Sequence, residues 1–173
     1  MPGPGDADPI TSTKLREEIE DGRVREAARA LGRSPTLTGL VVEGEKVGRA
    51  LGFPTANLDL GGPYAVPADG VYAVWTELHP YSERARLVPS AVSIGERPTF
   101  NGRERAVEAH LLDFDGDLYG QRLRLHFVDR LRGQERFDSV ATLVEQMKRD
   151  VSLARRLLTE GRGGEGLAQA ADG

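Results

Sequence analysis

The residues best suited to bind a phosphate group lie in a glycine-rich segment, residues 44–57, which reads GEKVGRALGFPTAN. Glycine lets backbone N–H groups approach a ligand closely, and Lys46 and Arg49 add positive charge. The segment lacks the Gly-Lys-Ser/Thr ending of a Walker P-loop, and on spacing alone a flexible hairpin loop is the simpler interpretation. The glycines concerned are Gly44, Gly48 and Gly52.

The end of this segment holds two neutral oxygen donors, Thr55 and Asn57. In an extended chain, side chains two residues apart point to the same face, so the hydroxyl and the amide would lie together. Both are hard ligands that Mg²⁺ accepts, although a site without charge of its own needs nucleotide phosphates to complete it. A turn in which these side chains bond to nearby backbone is the alternative.

A single carboxylate, Glu108, interrupts the apolar run VEAHLL at residues 107–112. In a strand, Glu108 would share one face with His110 and Leu112. Such a glutamate is either a solvent-facing strand residue or a positioned general base. His110 is more often structural or exposed in such a place, and we assign it no role.

Two later segments also hold residues that could contact a ligand. Residues 113–117, DFDGD, are best interpreted as a tight acidic turn, because the later bidentate glutamate of an EF-hand loop is missing. Arg132 and Phe137 precede the last helical segment. Phe137 is either a core anchor or a cover for a flat aromatic ligand.

From residue 38 onward, short apolar runs separated by Gly, Pro and Asp must position these side chains. In LRLHF, residues 123–127, apolar and polar residues alternate as in a half-buried strand. We predict a mainly β fold, a six-stranded antiparallel Greek-key barrel with a long C-terminal helix and a short N-terminal helical prefix. Asp138 or Ser139 can cap the long helix. Its apolar residues recur at helical spacing: Val140, Leu143, Val144, Met147, Val151, Ala154 and Leu158.

Composition excludes several classes of site. The chain has 173 residues, no cysteine and a net charge of −4 with acids and bases well mixed. Disulfides, thiolate metal sites and cysteine nucleophiles are therefore excluded, and no broad basic surface for nucleic acid is expected. No apolar run is long enough to span a membrane, and no secretion leader is visible. We expect a cytoplasmic protein, a monomer, with no nucleic-acid or membrane partner.

Taken in order along the chain, a series of motifs resembles the riboflavin kinase family. The most specific is GRALGFPTANL at residues 48–58, and the series covers roughly residues 38–158. The motifs are GLVVEG (39–44), GRALGFPTANL (48–58), GVYAV (70–74), SIGERPTF (93–100), VEAHLLDF (107–114), DLYG (117–120), LR (131–132) and FDSV (137–140).

The resemblance implies that the chain makes FMN from riboflavin, with Mg-ATP as the phosphate donor. It implies that Thr55 and Asn57 hold Mg²⁺ and that Glu108 is the catalytic base. Arg132 and Phe137 would lie beside the flavin. The residues expected along ATP are Gly44, Lys46, Gly48, Arg49, Gly52, Thr55, Leu111 and Tyr119.

The composition of the chain and the same resemblance together predict its domain organisation. Residues 38–158 would form the barrel and its helix, whereas residues 1–9 and 159–173 are rich in Gly, Pro or Asp and are expected to be disordered. Residues 10–37 form a helical prefix that begins with ITSTKLR. This start resembles the closing motif of the adenylyltransferase domain in bacterial bifunctional riboflavin kinase/FAD synthetases. We expect the second activity of those enzymes, conversion of FMN to FAD, to be missing.

Overall fold

Antiparallel strands close into a barrel in the computed structural model, which describes residues 12–44, 51–61 and 65–160. The order around the barrel is β1-β2-β5-β4-β3-β6, and each neighbouring pair is antiparallel. Because β2 pairs with β5 and β3 with β6, the chain crosses over as in a Greek key, which confirms the predicted fold class. The strands are β1 (Thr36–Val42), β2 (Ala56–Asp59), β3 (Gly70–Leu78), β4 (Arg86–Thr99), β5 (Gly102–Leu111) and β6 (Arg122–Arg132).

Inward-facing and outward-facing side chains alternate along the strands. The inward-facing ones fill the barrel, and the outward-facing ones can contact ligands. On β5, Val107 and Ala109 are buried in the main hydrophobic core, whereas Glu108 between them is only partly buried. Strand β3 is buried on nearly its whole length, because its outer face is covered as well. There Ala73 packs against Ala154 of the C-terminal helix. Glu108 therefore lies on the outer face of the barrel.

The helical prefix packs against the barrel and contributes to its hydrophobic core. It contains α1 (Ser12–Glu20) and α2 (Val24–Leu31), and Gly32, in the left-handed conformation, caps the end of α2. Val24 is 1% exposed and belongs to the same core cluster as Phe127 of β6. The structure thus packs α2 into the barrel, and the division between residues 10–37 and 38–158 stays a prediction.

The long C-terminal helix is α3 (Val140–Thr159). Its N-cap is Ser139, one of the two predicted caps. Ser139 and Thr142 form a capping box, each side chain accepting from the backbone N–H of the other. The predicted apolar face is correct at Ala154 and Leu158, which are buried. It is wrong at Val140, which is 62% exposed because it starts the first turn, before the helix reaches the sheet.

No helix among the residues described is both long and apolar enough to cross a membrane. The expected tail at 1–9 lies outside the described residues. So does the tail predicted at 159–173, except for Thr159, which ends α3, and Glu160.

Candidate functional site

A cavity of about 740 Å³ opens where β1 ends, β2 begins and β5 ends. The loop that follows β5 forms its other wall. The cavity brings together five residues that the sequence analysis singled out for metal or ATP: Gly44, Thr55, Asn57, Leu111 and Tyr119. A groove of about 390 Å³ along the exposed side of α3 contains none of the candidates.

Asn57 and Gly44 are fitted to each other at the floor of this cavity. Asn57 is 7% exposed, and its Oδ1 atom has no hydrogen-bond partner within the part of the chain that is described. A Cβ atom added to Gly44 would lie 2.3 Å from Asn57 Cγ, so only glycine fits without displacement. A buried acceptor without a partner lowers the stability of the folded chain by roughly 1–3 kcal/mol. A bound ligand that places a positive group beside Oδ1 would remove this loss.

The residues present fit a divalent cation that is shared with phosphate groups. Thr55 lines the cavity beside Asn57, and Glu43, Asp115 and Asp117 bring carboxylates to its wall. Hydroxyl, amide and carboxylate oxygens are the ligands that Mg²⁺ prefers. Among the described residues, no cluster of three or more His, Cys, Asp or Glu could hold an ion by itself. The oxygens of a bound nucleotide would have to complete the coordination.

Part of the cavity lining is apolar and suits a flat ring. This part consists of Leu111, at the end of β5, and the loop residues Phe114, Leu118 and Tyr119. Leu111 is 6% exposed, whereas Tyr119 is 61% exposed. An aromatic and aliphatic wall of this kind binds a planar base by stacking and burial.

A single row of paired residues runs from this cavity around the barrel. Asn57 is opposite Glu108, Glu108 is opposite Ser93, Ser93 is opposite Val71, and Val71 is opposite Arg132. Directly paired residues of regular antiparallel strands lie about 4.5–5.5 Å apart and place their side chains on the same face. The register of β3 against β6 shifts between Val71 and Tyr72, directly beside the pair of Val71 with Arg132. In the order of pairing, Glu108 lies between Asn57, which lines the cavity, and Arg132, but Glu108 is not itself a lining residue.

Arg132 and Phe137 form a cation–π contact on that second face. The guanidinium carbon of Arg132 lies 5.7 Å from the centre of the Phe137 ring. Arg132 also donates to Asp150 of α3 through Nε and Nη2, at 2.8–3.1 Å. Phe137 is partly buried and belongs to neither core cluster, so the alternative of a core anchor is not supported.

Other candidates stand apart from the cavity or outside the described residues. Lys46, Gly48 and Arg49 lie in residues 45–50, which are not described. Gly52 has φ +88°, a left-handed conformation that favours glycine, but it does not line the cavity. His110, to which no role was assigned, makes a 2.7 Å hydrogen bond from Nδ1 to the carbonyl of Pro54. That bond holds the residue just before Thr55.

Sequence reasoning missed two features of the site. The acidic turn was predicted, but not that Asp115 and Asp117 would line this cavity. Asp150 is not predicted, because apolar spacing is the only pattern that its helix shows in the sequence. A signal was present, since position 150 falls four residues before Ala154 on the packed face, where a charged residue needs a partner. Arg155 of α3 forms a further ion pair with Asp113, at the start of the cavity loop.

Comparison with known proteins identifies relatives of the whole barrel. The flavokinase family model, described as riboflavin kinase, matches residues 31–158. A bifunctional riboflavin kinase/FMN adenylyltransferase from Haemophilus influenzae is 35% identical over 87% of this chain and 47% of its own length. The enzyme of the same description from Pseudomonas fluorescens is 40% identical over 86% of this chain and 46% of its length. The chain therefore spans about half the length of these curated relatives.

Solved structures agree in fold. A riboflavin kinase from Trypanosoma brucei is 30% identical, with a TM-score of 0.56 over 75% of this chain and 83% of that one. A structure described as a macrolide-efflux protein from Streptococcus pneumoniae is 41% identical, with a TM-score of 0.76 over 84% of this chain and 46% of that one. With the family model matched over most of its length, this chain belongs to the riboflavin kinase family.

Proposed function

We propose that this chain transfers the γ-phosphoryl group of ATP to the 5′-hydroxyl of riboflavin, which gives FMN and ADP. The observation that carries the proposal is the paired row on the outer face of the barrel. It sets Asn57 and the cavity on one side of Glu108, and Arg132 with Phe137 on the other. A carboxylate between a nucleotide site and an aromatic, cationic face is what a transfer between two bound substrates requires.

ATP would bind with its base against the apolar wall and its phosphates toward Asn57. Leu111 and Tyr119 supply the surface for the adenine, and Gly44 lets the β1 end approach the phosphates. The segment with Lys46, Gly48, Arg49 and Gly52 follows Gly44 directly and would supply positive charge and backbone N–H groups along the triphosphate.

Thr55 and Asn57 would hold a Mg²⁺ ion together with the phosphate oxygens. The orphaned Oδ1 atom of Asn57 supports this assignment, because a cation would satisfy it. A divalent cation bound there with ATP neutralises charge on the group being transferred. Cation dependence, ATP use and the cytoplasmic, monomeric state expected from the sequence are part of the proposal.

Glu108 would act as the general base for the ribityl hydroxyl. As the hydroxyl oxygen forms its bond to the γ-phosphorus, its proton passes to the Glu108 carboxylate, and the bond to the ADP oxygen breaks. Arg132 and Phe137 would hold the isoalloxazine ring, so that the ribityl chain extends along the row toward Glu108. Positioning and charge neutralisation contribute most in such a reaction, since little covalent chemistry falls to the protein.

The test is formation of FMN by the purified chain, followed by chromatography with riboflavin, ATP and Mg²⁺. Glu108→Gln should lower kcat by roughly 10²–10⁴-fold, a typical general-base contribution, with riboflavin and ATP affinity measured by calorimetry nearly unchanged. The matched control is Glu104→Gln, an exposed glutamate four residues earlier on β5, which should keep full activity.

Three outcomes distinguish the alternatives. Binding of both ligands without any FMN from the unaltered, folded chain would identify a flavin- and nucleotide-binding module instead of a kinase. Near-normal kcat in Glu108→Gln would remove Glu108 from the reaction. Loss of binding together with a lower Tm in that variant would show that Glu108 has a structural role.

A further inference from the structure

A buried carboxylate on α3, Asp150, binds Arg132, the arginine of the proposed flavin face. Asp150 is 6% exposed and the Arg132 side chain 15% exposed. Arg132 Nε donates to Oδ1 at 3.0 Å, and Nη2 donates to Oδ2 at 2.8 Å. Gln146, one turn earlier on α3, donates from Nε2 to Oδ1 at 3.0 Å. Both oxygens of the carboxylate are therefore used in a fixed geometry.

Stability alone does not account for a charged pair at this place. Replacing a buried ion pair by apolar residues of similar size is often neutral or stabilising, because desolvation offsets the attraction. The helix is already attached to the sheet by Ala154 and Leu158, which pack against Ala73 and Ala91. The pair has a more specific effect, which is to fix the direction of the Arg132 guanidinium.

The hydrogen bonds of Arg132 determine how it meets the Phe137 ring. Nε and Nη2 are directed to Asp150, and Nη1 donates to the carbonyl of Gly133 at 3.0 Å. These bonds leave the guanidinium 5.7 Å from the ring centre. Without Asp150, an arginine side chain with several rotatable bonds would lose this orientation, and the surface offered to a flat ligand would change.

The loop that follows Arg132, between β6 and α3, is tethered next to Glu108. Gln134 donates from Nε2 to Ser93 Oγ at 3.0 Å and to the Ile94 carbonyl at 2.8 Å. Ser93 is the residue paired with Glu108 across β4 and β5. Arg132, at the end of β6, is thus held to α3, and Gln134, two residues later, is held to the strand beside Glu108. These bonds fix the start of the loop relative to the Glu108 carboxylate.

We infer that Asp150 is a positioning residue for riboflavin, which acts by orienting Arg132 over Phe137. The inference rests on the proposed function, because it takes Arg132 and Phe137 as the flavin face. Asp150 itself touches neither substrate. Its removal should therefore raise the KM for riboflavin through Arg132 and leave the nucleotide cavity as it was.

The experiment measures steady-state kinetics for both substrates in Asp150→Asn, with riboflavin binding followed by its fluorescence. Asparagine keeps the shape but turns an amide toward the guanidinium and removes the charge. We expect the KM and Kd for riboflavin to rise by roughly tenfold or more, as for loss of a hydrogen bond to a charged group. The KM for ATP should stay within about twofold. Glu145→Gln, an exposed α3 carboxylate, is the matched control and should change neither KM.

A comparison of two variants that both lack Arg132 separates orientation of Arg132 from a general effect on the fold. Arg132→Met and Arg132→Met/Asp150→Leu should show the same riboflavin KM, because Asp150 has nothing left to orient. The apolar double variant should unfold at or above the Tm of Arg132→Met. If Asp150→Asn does not fold, this comparison decides alone: equal KM values support the inference, and a further loss in the double variant overturns it.

The outcomes are distinct from those of the proposed function. If the unaltered chain makes no FMN, the proposed function fails first. If it makes FMN and folded Asp150→Asn keeps its riboflavin KM within about twofold, the kinase stands and the inference is wrong. Equal rises in both KM values with a lower Tm would likewise overturn it, because a structural residue affects both substrates.

Discussion

Alanine at position 44 is expected to disable the proposed nucleotide site by displacing Asn57. The added Cβ would lie 2.3 Å from both Cγ and Nδ2 of Asn57 and 2.6 Å from Oδ1, where ordinary contact begins at 3.4 Å. The amide must therefore move by about 1 Å or more, or the two chain segments must separate. Overpacking of this kind costs typically about 1–3 kcal/mol.

The kinetic consequence follows from the place of the clash. If Asn57 contributes an oxygen to the Mg-ATP site, a shift of about 1 Å removes that contact, and a loss of about 1.4 kcal/mol or more is tenfold or more in kcat/KM for Mg-ATP. The assay is initial-rate FMN formation at varied Mg-ATP and fixed, saturating riboflavin. Riboflavin affinity, measured separately by fluorescence, should change little.

Two further variants make the interpretation of Gly44→Ala specific. Gly133→Ala is the matched control, because its added Cβ would meet its nearest neighbour, Arg130, at an ordinary 3.7 Å, and its Mg-ATP kinetics should be normal. Gly44→Ala/Asn57→Ala removes the clash, so its Tm should exceed that of the single variant while activity stays low. An unchanged KM for Mg-ATP in folded Gly44→Ala would refute the packing argument.

Three other predictions test separate parts of the structure. Thr55→Ala should weaken use of Mg-ATP more than Thr55→Ser, which keeps the hydroxyl; equal losses would indicate a packing role for the methyl group. Burial lowers the pKa of His126 below its ordinary value of 6.5, although its hydrogen bond to Glu77 opposes the shift. The unfolded chain therefore takes up this proton first, so stability should be fully present above pH 6.5 and fall as the pH drops below it. His126→Gln should flatten that slope of Tm against pH, and an unchanged slope would contradict the assignment. Val24→Ala should lower the free energy of unfolding in urea by about 2 kcal/mol, whereas exposed Val140→Ala should stay within about 0.5 kcal/mol.

The parts of the site that could be predicted from sequence are those encoded in short, local patterns. Alternation in VEAHLL placed Glu108 on the face opposite Val107 and Ala109, as the structure has it. The order of the motifs indicated that Gly44 and Asn57 serve one site, and both line one cavity. The roles of Glu108, Arg132 and the other candidates stay predictions.

The parts that could not be predicted depend on contacts between distant segments. Strand β2 has four residues, too few for a clear period, and its pairing with β5 crosses two intervening strands. The register that sets Asn57 opposite Glu108 is a property of the closed barrel and has no local signature. Asp150 was missed for a similar reason, because its partner Arg132 lies on another element. Helical spacing correctly placed Val140 in the helix. The spacing does not determine at which residue the helix first contacts the sheet, so the exposure of Val140 could not be predicted.

Closure of the barrel by β1 and β6 has a consequence for how the chain folds. Thr36 at the start of β1 pairs with His126 of β6, so the first strand completes its hydrogen bonds only when nearly the whole barrel sequence is available. During synthesis, β6 must leave the ribosome before it can pair with β1 and close the barrel. Helix α2 packs against β6 and therefore also reaches its native contacts only at that stage. Contacts this far apart in sequence give a high contact order, and we expect refolding in milliseconds to seconds.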